Sequence, residues 1–189
     1  SLNAYAINPE QTTIWLATRG GTKDKQTIVP KLYRVDLNPF KASAIPLDSI
    51  PVDLKISDDG KWLAVAELGS LKSDSSVLRL YNANSMELIA RCQIPKNPGL
   101  MQFSDDQRYL VVSSYGYPNL TSFDIPMNCY VEYDNVTVPA GVSIIDLEAL
   151  QSRKHGFEII NHEFIPGENG TVYVMVKGDT SNTVTAIGP

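Results

Sequence analysis

The sequence predicts an all-β fold, a β-propeller of four-stranded antiparallel blades present in part. Three observations predict it. The stretch "ISDDGKWLAVAEL" at 56–68 returns as "FSDDQRYLVVSSY" at 103–115. Two further copies of the same pattern flank that pair. No segment keeps a helical period beyond about two turns, and "DLEALQSRK" (146–154), the best candidate, reads as strand end and loop.

The four copies are "AINPEQTTIWLATRGG" from Ala6, "KISDDGKWLAVAELG" from Lys55, "QFSDDQRYLVVSSYG" from Gln102 and "EFIPGENGTVYVMVKG" from Glu163. Each opens on an apolar residue (Ile7, Ile56, Phe103, Phe164), at separations of 49, 47 and 61 residues. A repeat of about 40 to 50 residues signals an array of supersecondary units. Asn8-Pro9-Glu10 and Asp58-Asp59-Gly60 supply turn chemistry, so each copy begins as a hairpin. The runs that follow, "WLAVAEL", "YLVVSSY" and "VYVMV", are almost continuously apolar or small, as strands covered on both faces require. A second pair of strands comes next: "KLYRVDLNP" in the first repeat, "SVLRLYNANSMELIARCQIP" in the second, "GVSIIDLEAL" with "GFEIINHEF" in the third. Such a sheet buries its faces only against neighbouring sheets, which places the units around an axis.

The blades read as 1–50, 51–97, 98–160 and an incomplete 161–189, in a single domain spanning 1–189. Closed propellers use about four to eight blades. The expectation is therefore the N-terminal half of a seven-bladed ring, with a closed small propeller of irregular blades as the alternative.

Composition excludes some functions. A net charge of −5 disfavours nucleic acid, which is bound through basic surfaces. No apolar run is long enough to span a bilayer. The start, "SLNAYAINPEQ", lacks the regions of a signal peptide. Sequons at Asn119, Asn135 and Asn169 and the cysteines Cys92 and Cys129 are compatible with an extracytoplasmic protein, periplasmic, cell-surface or secreted.

"ISDDGKWLAVAE…SVLRLYN" resembles the S-P-D-G repeat of YVTN-type and lactonase-like propellers, although Asp replaces the proline in the second and third repeats. The WD40 closing Trp-Asp dipeptide is absent. "AELGSLKSDSSVLRLYN" is loosely similar to a segment of lactonase propellers, and that resemblance singles out Glu67.

Aligning the copies puts Arg19, Glu67, Ser114 and Lys177 in one column where the second strand ends, each with a glycine one or two residues later. Ringed about an axial mouth, such charges suit a polar or anionic ligand, whereas the bland reading is that strand ends are wet and charged. The same face carries a polar, basic loop at 20–31 and an insertion at 114–141. Long insertions are commonly functional. Tyr115 and Tyr117 give this one the aromatic character of recognition surfaces, unless its strands simply extend the blade. The two cysteines read either as unpaired thiols of a reducing compartment or as a Cys92–Cys129 disulfide, which would pin the insertion to the neighbouring blade, worth about 4 kcal/mol in the chain-entropy picture.

No hydrolase elbow, zinc-protease, P-loop or C-x-x-C motif is present. Asp58-Asp59 and Asp105-Asp106 read as turns, and His155 and His162 as solvated residues between blades. No metal or cofactor is expected. The function expected is a non-catalytic scaffold that binds a protein, peptide or glycan through the insertion-bearing face. The other partner expected is the missing half of its own propeller or another copy. The alternative is a lactonase-like hydrolase with an axial pocket.

Overall fold

In a computed structural model of the chain, residues 2–70, 73, 75–115, 123–125, 129–131, 141–148, 151–156, 159–166, 172–176 and 183–187 are described. Side chains beyond residue 115 are described only for 143–148 and 186. The strands run in chain order through four blades, the first and third of which each carry an inserted hairpin that forms a separate two-stranded sheet. The first holds β1 (Leu2–Ile7) and β2 (Thr13–Thr18), then the hairpin β3 (Gly21–Lys23) and β4 (Gln26–Ile28), then β5 (Lys31–Leu37) and β6 (Phe40–Pro46). The second holds β7 (Pro51–Ile56), β8 (Trp62–Glu67), β9 (Ser75–Asn82) and β10 (Leu88–Pro95). The third holds β11 (Pro98–Phe103) and β12 (Tyr109–Ser114), the hairpin β13 (Phe123–Ile125) and β14 (Cys129–Val131), then β15 (Gly141–Asp146) and β16 (Gln151–Gly156). The fourth holds β17 (Ile159–Pro166), β18 (Val172–Val176) and β19 (Thr183–Ile187). Pairing is antiparallel throughout, in the orders β1-β2-β5-β6, β7-β8-β9-β10, β11-β12-β15-β16 and β17-β18-β19.

The opening hairpin of each repeat is built the same way three times. In the second, the Trp62 amide donates to Ser57 Oγ at 2.9 Å, and Ser57 Oγ donates to Asp59 Oδ1 at 2.7 Å. In the third, Tyr109 donates to Ser104 Oγ at 3.0 Å, and Ser104 Oγ to Asp106 Oδ1 at 2.5 Å. In the first, the Asn8 carboxamide oxygen stands in place of the serine and accepts from the Thr12 and Thr13 amides at 2.8 Å. The residue that must turn back adopts positive φ: Gln11 at 56°, Gly60 at 68°, Gln107 at 57°. Asp58-Asp59 and Asp105-Asp106 are thus turn residues. Gln107 also ties adjacent turns together, for its Oε1 accepts from the Asp58 amide at 2.8 Å.

The first strands, β1, β7, β11 and β17, succeed one another side by side, which makes them the innermost strands of radially placed blades. Two apolar clusters lie between those blades. Trp15, Ala17 and Leu32 of blade one meet Leu63, Val65 and Tyr81 of blade two. Ala64, Ala66 and Leu78 on the opposite face of blade two meet Leu110, Val112 and Ile145 of blade three. Both faces of β8 are buried, which is why "WLAVA" reads as a continuous apolar run. Each fully buried Leu or Val here contributes about 1.5–3 kcal/mol.

Two expectations are corrected. The fourth strand of blade three is β16, "QSRKHG", and "GFEIINHEF" instead supplies β17 of blade four. Apolar alternation cannot find β16, because its sequence is polar. His155 and His162 accordingly lie on strands β16 and β17, with side chains outside those described. The polar stretch 20–31 is also no irregular loop. Asp24 and Lys25 take φ of 49° and 64°, the double positive φ of a tight hairpin turn, and so pair β3 with β4.

Candidate functional face

Sheet register decides which residues leave each blade at the same height. Thr18 lies opposite Leu2 and Lys31, Glu67 opposite Pro51 and Val77, and Ser114 opposite Pro98 and Gly141. Thr18, Glu67 and Ser114 therefore form the column at the strand ends. Val176, opposite Ile159 and Thr183, continues it, so Arg19 and Lys177 each stand one residue beyond. At this same end every innermost strand carries a register shift, between Leu2 and Ala4, Pro51 and Asp53, Pro98 and Met101, and Ile159 and Asn161. Bulges of this kind bend a strand end and are frequent beside functional surfaces.

Glu67 is fully buried. Its Oε2 accepts from the Ser49 amide at 2.9 Å and from Ser49 Oγ at 3.3 Å, both in the segment joining blades one and two. Its Oε1 lies 2.5 Å from Arg79 Nε, a contact of opposite charges that is not aligned as a hydrogen bond. The Arg79 Nη2 reaches Asp48, also in the joining segment. Burial alone would lower the Arg79 guanidinium's value, but Glu67 and Asp48 outweigh it and hold it above its ordinary one. Burial pushes the neighbouring Tyr81 phenol up; Arg79 opposes that rise and Glu67 adds to it. Beside this network opens a cleft of about 380 Å³, lined by Asp48, Ser49, Glu67, Ser73, Arg91 and Gln93.

The next blade boundary is held differently. Lys96, fully buried, donates from Nζ to the carbonyls of Leu68 at 2.9 Å and Ser70 at 2.7 Å. It thereby fixes the start of the segment that leaves β8. Nearer the axis, Asp53 on β7 accepts from the Leu54 amide at 2.8 Å. Burial pushes the Asp53 carboxyl up, against the lowering effect of backbone bonds from Leu54 and from Met101 on the next innermost strand.

Two hairpins are inserted in the chain at this same end of the blades. β3–β4 is inserted between β2 and β5, and β13–β14 between β12 and β15, the same junction of blades one and three. All six strand residues of β3–β4 are exposed. Gly20 anchors the base of that hairpin. It sits at φ +71°, and a Cβ there would lie 2.3 Å from the Ile28 carbonyl oxygen.

The arrangement has counterparts among known structures. The β-propeller domain of the Trilobed protease from Pyrococcus furiosus matches 98% of this chain at TM-score 0.59 and 13% identity. The WD40 domain of Pan2 from Neurospora crassa matches all of it at 0.56 and 12%, and the C-terminal WD40 domain of Sif2 matches all of it at 0.55 and 13%. The fold is a β-propeller. The chain spans 55%, 54% and 49% of those three structures, about half of each, and its described sheets form part of a ring that none of them closes. No family model matches the sequence, and no curated protein is similar enough to match it.

On this propeller the residues singled out from sequence fall apart into separate roles. Glu67 is sealed in an ion pair, and Arg19 is not among the residues lining the cleft beside it. Ser114 is buried, and its hydroxyl has no partner among the described residues. Tyr115 is 48% exposed and lies over Gly99, whose Cβ would meet its ring at 2.6 Å. Tyr117 and Lys177 lie outside the described residues. Cys92 is half-buried on β10 against the cluster between blades two and three, whereas Cys129 is on β14 with its side chain outside those described. Sequence reasoning missed Arg79, Asp48 and Lys96. The signal for Arg79 was a single arginine inside "VLRLY", a charge set within an apolar strand. No helix among the described residues is long and apolar enough to cross a membrane, and no cluster of metal-ligating residues occurs among them.

Proposed function

We propose that the chain is a non-catalytic binding scaffold that recognises a protein, peptide or glycan through the face bearing the two inserted hairpins. The observation that carries this reading is β3–β4, whose strand residues are all exposed. An isolated two-stranded hairpin is marginal in water, so one with every strand residue exposed is suited to contact with a partner. Tyr115, Tyr117, Arg19 and Lys177 belong to the proposed contact face, whereas Ser114 is fully buried and does not reach it. Glu67 contributes indirectly, by fixing Ser49 and Arg79. An extracytoplasmic location rests on the three sequons and on the proposed Cys92–Cys129 pairing.

The hydrolytic alternative requires Glu67 to reach a substrate together with Arg19 and Lys177. Ser49 and Arg79 already occupy its two oxygens. The test replaces residues 21–28 with two glycines and compares binding on peptide and glycan arrays with that of the unaltered chain. Loss of the array signals with unchanged thermal unfolding is expected. Array signals that survive the replacement, or γ-lactone hydrolysis abolished by Glu67→Gln, would overturn the proposal.

A further inference from the structure

Blades one and two treat their cations in opposite ways where the second strand ends. Beyond β8, Lys96 is fully buried, and its Nζ donates to the carbonyls of Leu68 and Ser70. Beyond β2, the segment 19–31 carries Arg19, Lys23, Lys25 and Lys31 against the single carboxylate of Asp24. None of these four cations meets a carboxylate among the described residues, although Arg34, Lys61, Arg79 and Arg108 all do. Lys23 and Lys25 are exposed with the rest of the β3–β4 hairpin. The segment is net +3 in a chain of −5, which leaves −8 on the remainder. A basic lobe on an acidic body draws a partner of complementary charge to that lobe.

The backbone at the tip is an independent observation. Asp24 and Lys25 take φ of 49° and 64°, in a turn whose second position ordinarily holds glycine. Lysine there keeps a left-handed conformation that glycine would adopt without strain. Local strain of this kind gathers at sites that hold a ligand. What lysine supplies and glycine cannot is a charge at the tip.

Charge and apolarity together select the occupant. Ile28 and Val29, 46% and 47% exposed, belong to the same segment as the four cations. A second copy of the hairpin is repelled by its own lysines. An extended polyanion, nucleic acid or membrane surface, would also lie against the remaining −8. A short polypeptide segment with apolar residues among its carboxylates meets both requirements. Resting on the reading that this face binds a partner, we propose that β3–β4 recognises such an acidic polypeptide segment, with Lys23 and Lys25 as its cationic contacts.

Fluorescence anisotropy with labelled peptides of alternating glutamate and leucine, glutamine and leucine, or lysine and leucine tests it. The glutamate peptide should bind, more weakly as salt is raised, and the other two should bind at least about tenfold less tightly. Lys23→Glu with Lys25→Glu should cost about tenfold in affinity for the glutamate peptide. Lys25→Gly should cost about threefold yet raise the thermal unfolding midpoint, because glycine relaxes the turn. Equal binding of the glutamate and glutamine peptides, or unchanged binding in either variant, overturns the proposal. So does tighter binding of duplex DNA, heparin or phosphatidylserine vesicles. Array signals that need residues 21–28 but fall on neutral or basic ligands overturn it and leave the hairpin as the binding face. Array signals indifferent to that segment overturn both.

Discussion

The two boundaries of blade two put opposite chemistry at equivalent positions. Toward blade one, Glu67 and the diagonal Arg79 form a buried ion pair that reaches Asp48 and Ser49. Toward blade two, blade three presents Ser114 and Ser143 at those positions, both fully buried with hydroxyls lacking partners among the described residues. The strand register is the same and the apolar residues around it are alike. What differs is how the blade junction is fixed: by a two-sided charge network at the first boundary, and at the second by one buried ammonium, Lys96, bound to carbonyls. The fold tolerates either solution, so a charge in the strand-end column is not by itself a sign of chemistry.

The largest effect should come from breaking the ion pair on one side. Arg79→Met leaves a carboxylate buried without its countercharge and should cost about 3–4 kcal/mol, read from the urea midpoint. Lys96→Met removes two charge-assisted bonds at the other boundary and should cost about 2 kcal/mol, with faster amide exchange in 68–70. Ser114→Ala should be neutral or stabilising by up to about 1 kcal/mol, since it deletes a buried hydroxyl that makes no bond. A large loss there would show that the second boundary depends on its serines after all.

The smallest effect concerns the turns at the opposite face. Burial acts to raise the Asp59 carboxyl, but its hydrogen bonds with Ser57 and Lys61 outweigh that and hold it below its ordinary 3.8. A carboxyl lowered on folding adds stability above its unfolded value and loses it as pH falls through the folded one. The stabilities of the unaltered chain and Asp59→Asn should therefore differ at neutral pH and converge on acidification below about pH 3.8.

Much of the fold was legible because the repeat is written in turn chemistry and continuous apolar runs. "SDDGKW" and "SDDQRY" encode the same serine-capped hairpin, and "WLAVA" and "YLVVS" the same doubly buried strand. The β3–β4 hairpin was not legible, since Asp24-Lys25 adopts a double positive φ without the glycine that usually announces it. Nor was β16, whose polar sequence carries no alternation. The candidate site was harder to read. A glutamate at a strand end looks solvated in sequence, and only the pairing of Val65 with Arg79 beside that of Glu67 with Val77 brings the two charges together. Arg19 entered the column only because an alignment by residue type missed that Thr18, not Arg19, shares Glu67's register.

The central claim is that Glu67 acts by holding blades one and two together through Arg79. A double-mutant cycle of Glu67→Gln, Arg79→Met and the pair, measured by urea unfolding, tests it most directly. The account predicts that the double variant loses less than the two single losses added, with a coupling of about 2 kcal/mol. Single losses that simply add, leaving no coupling, would contradict it.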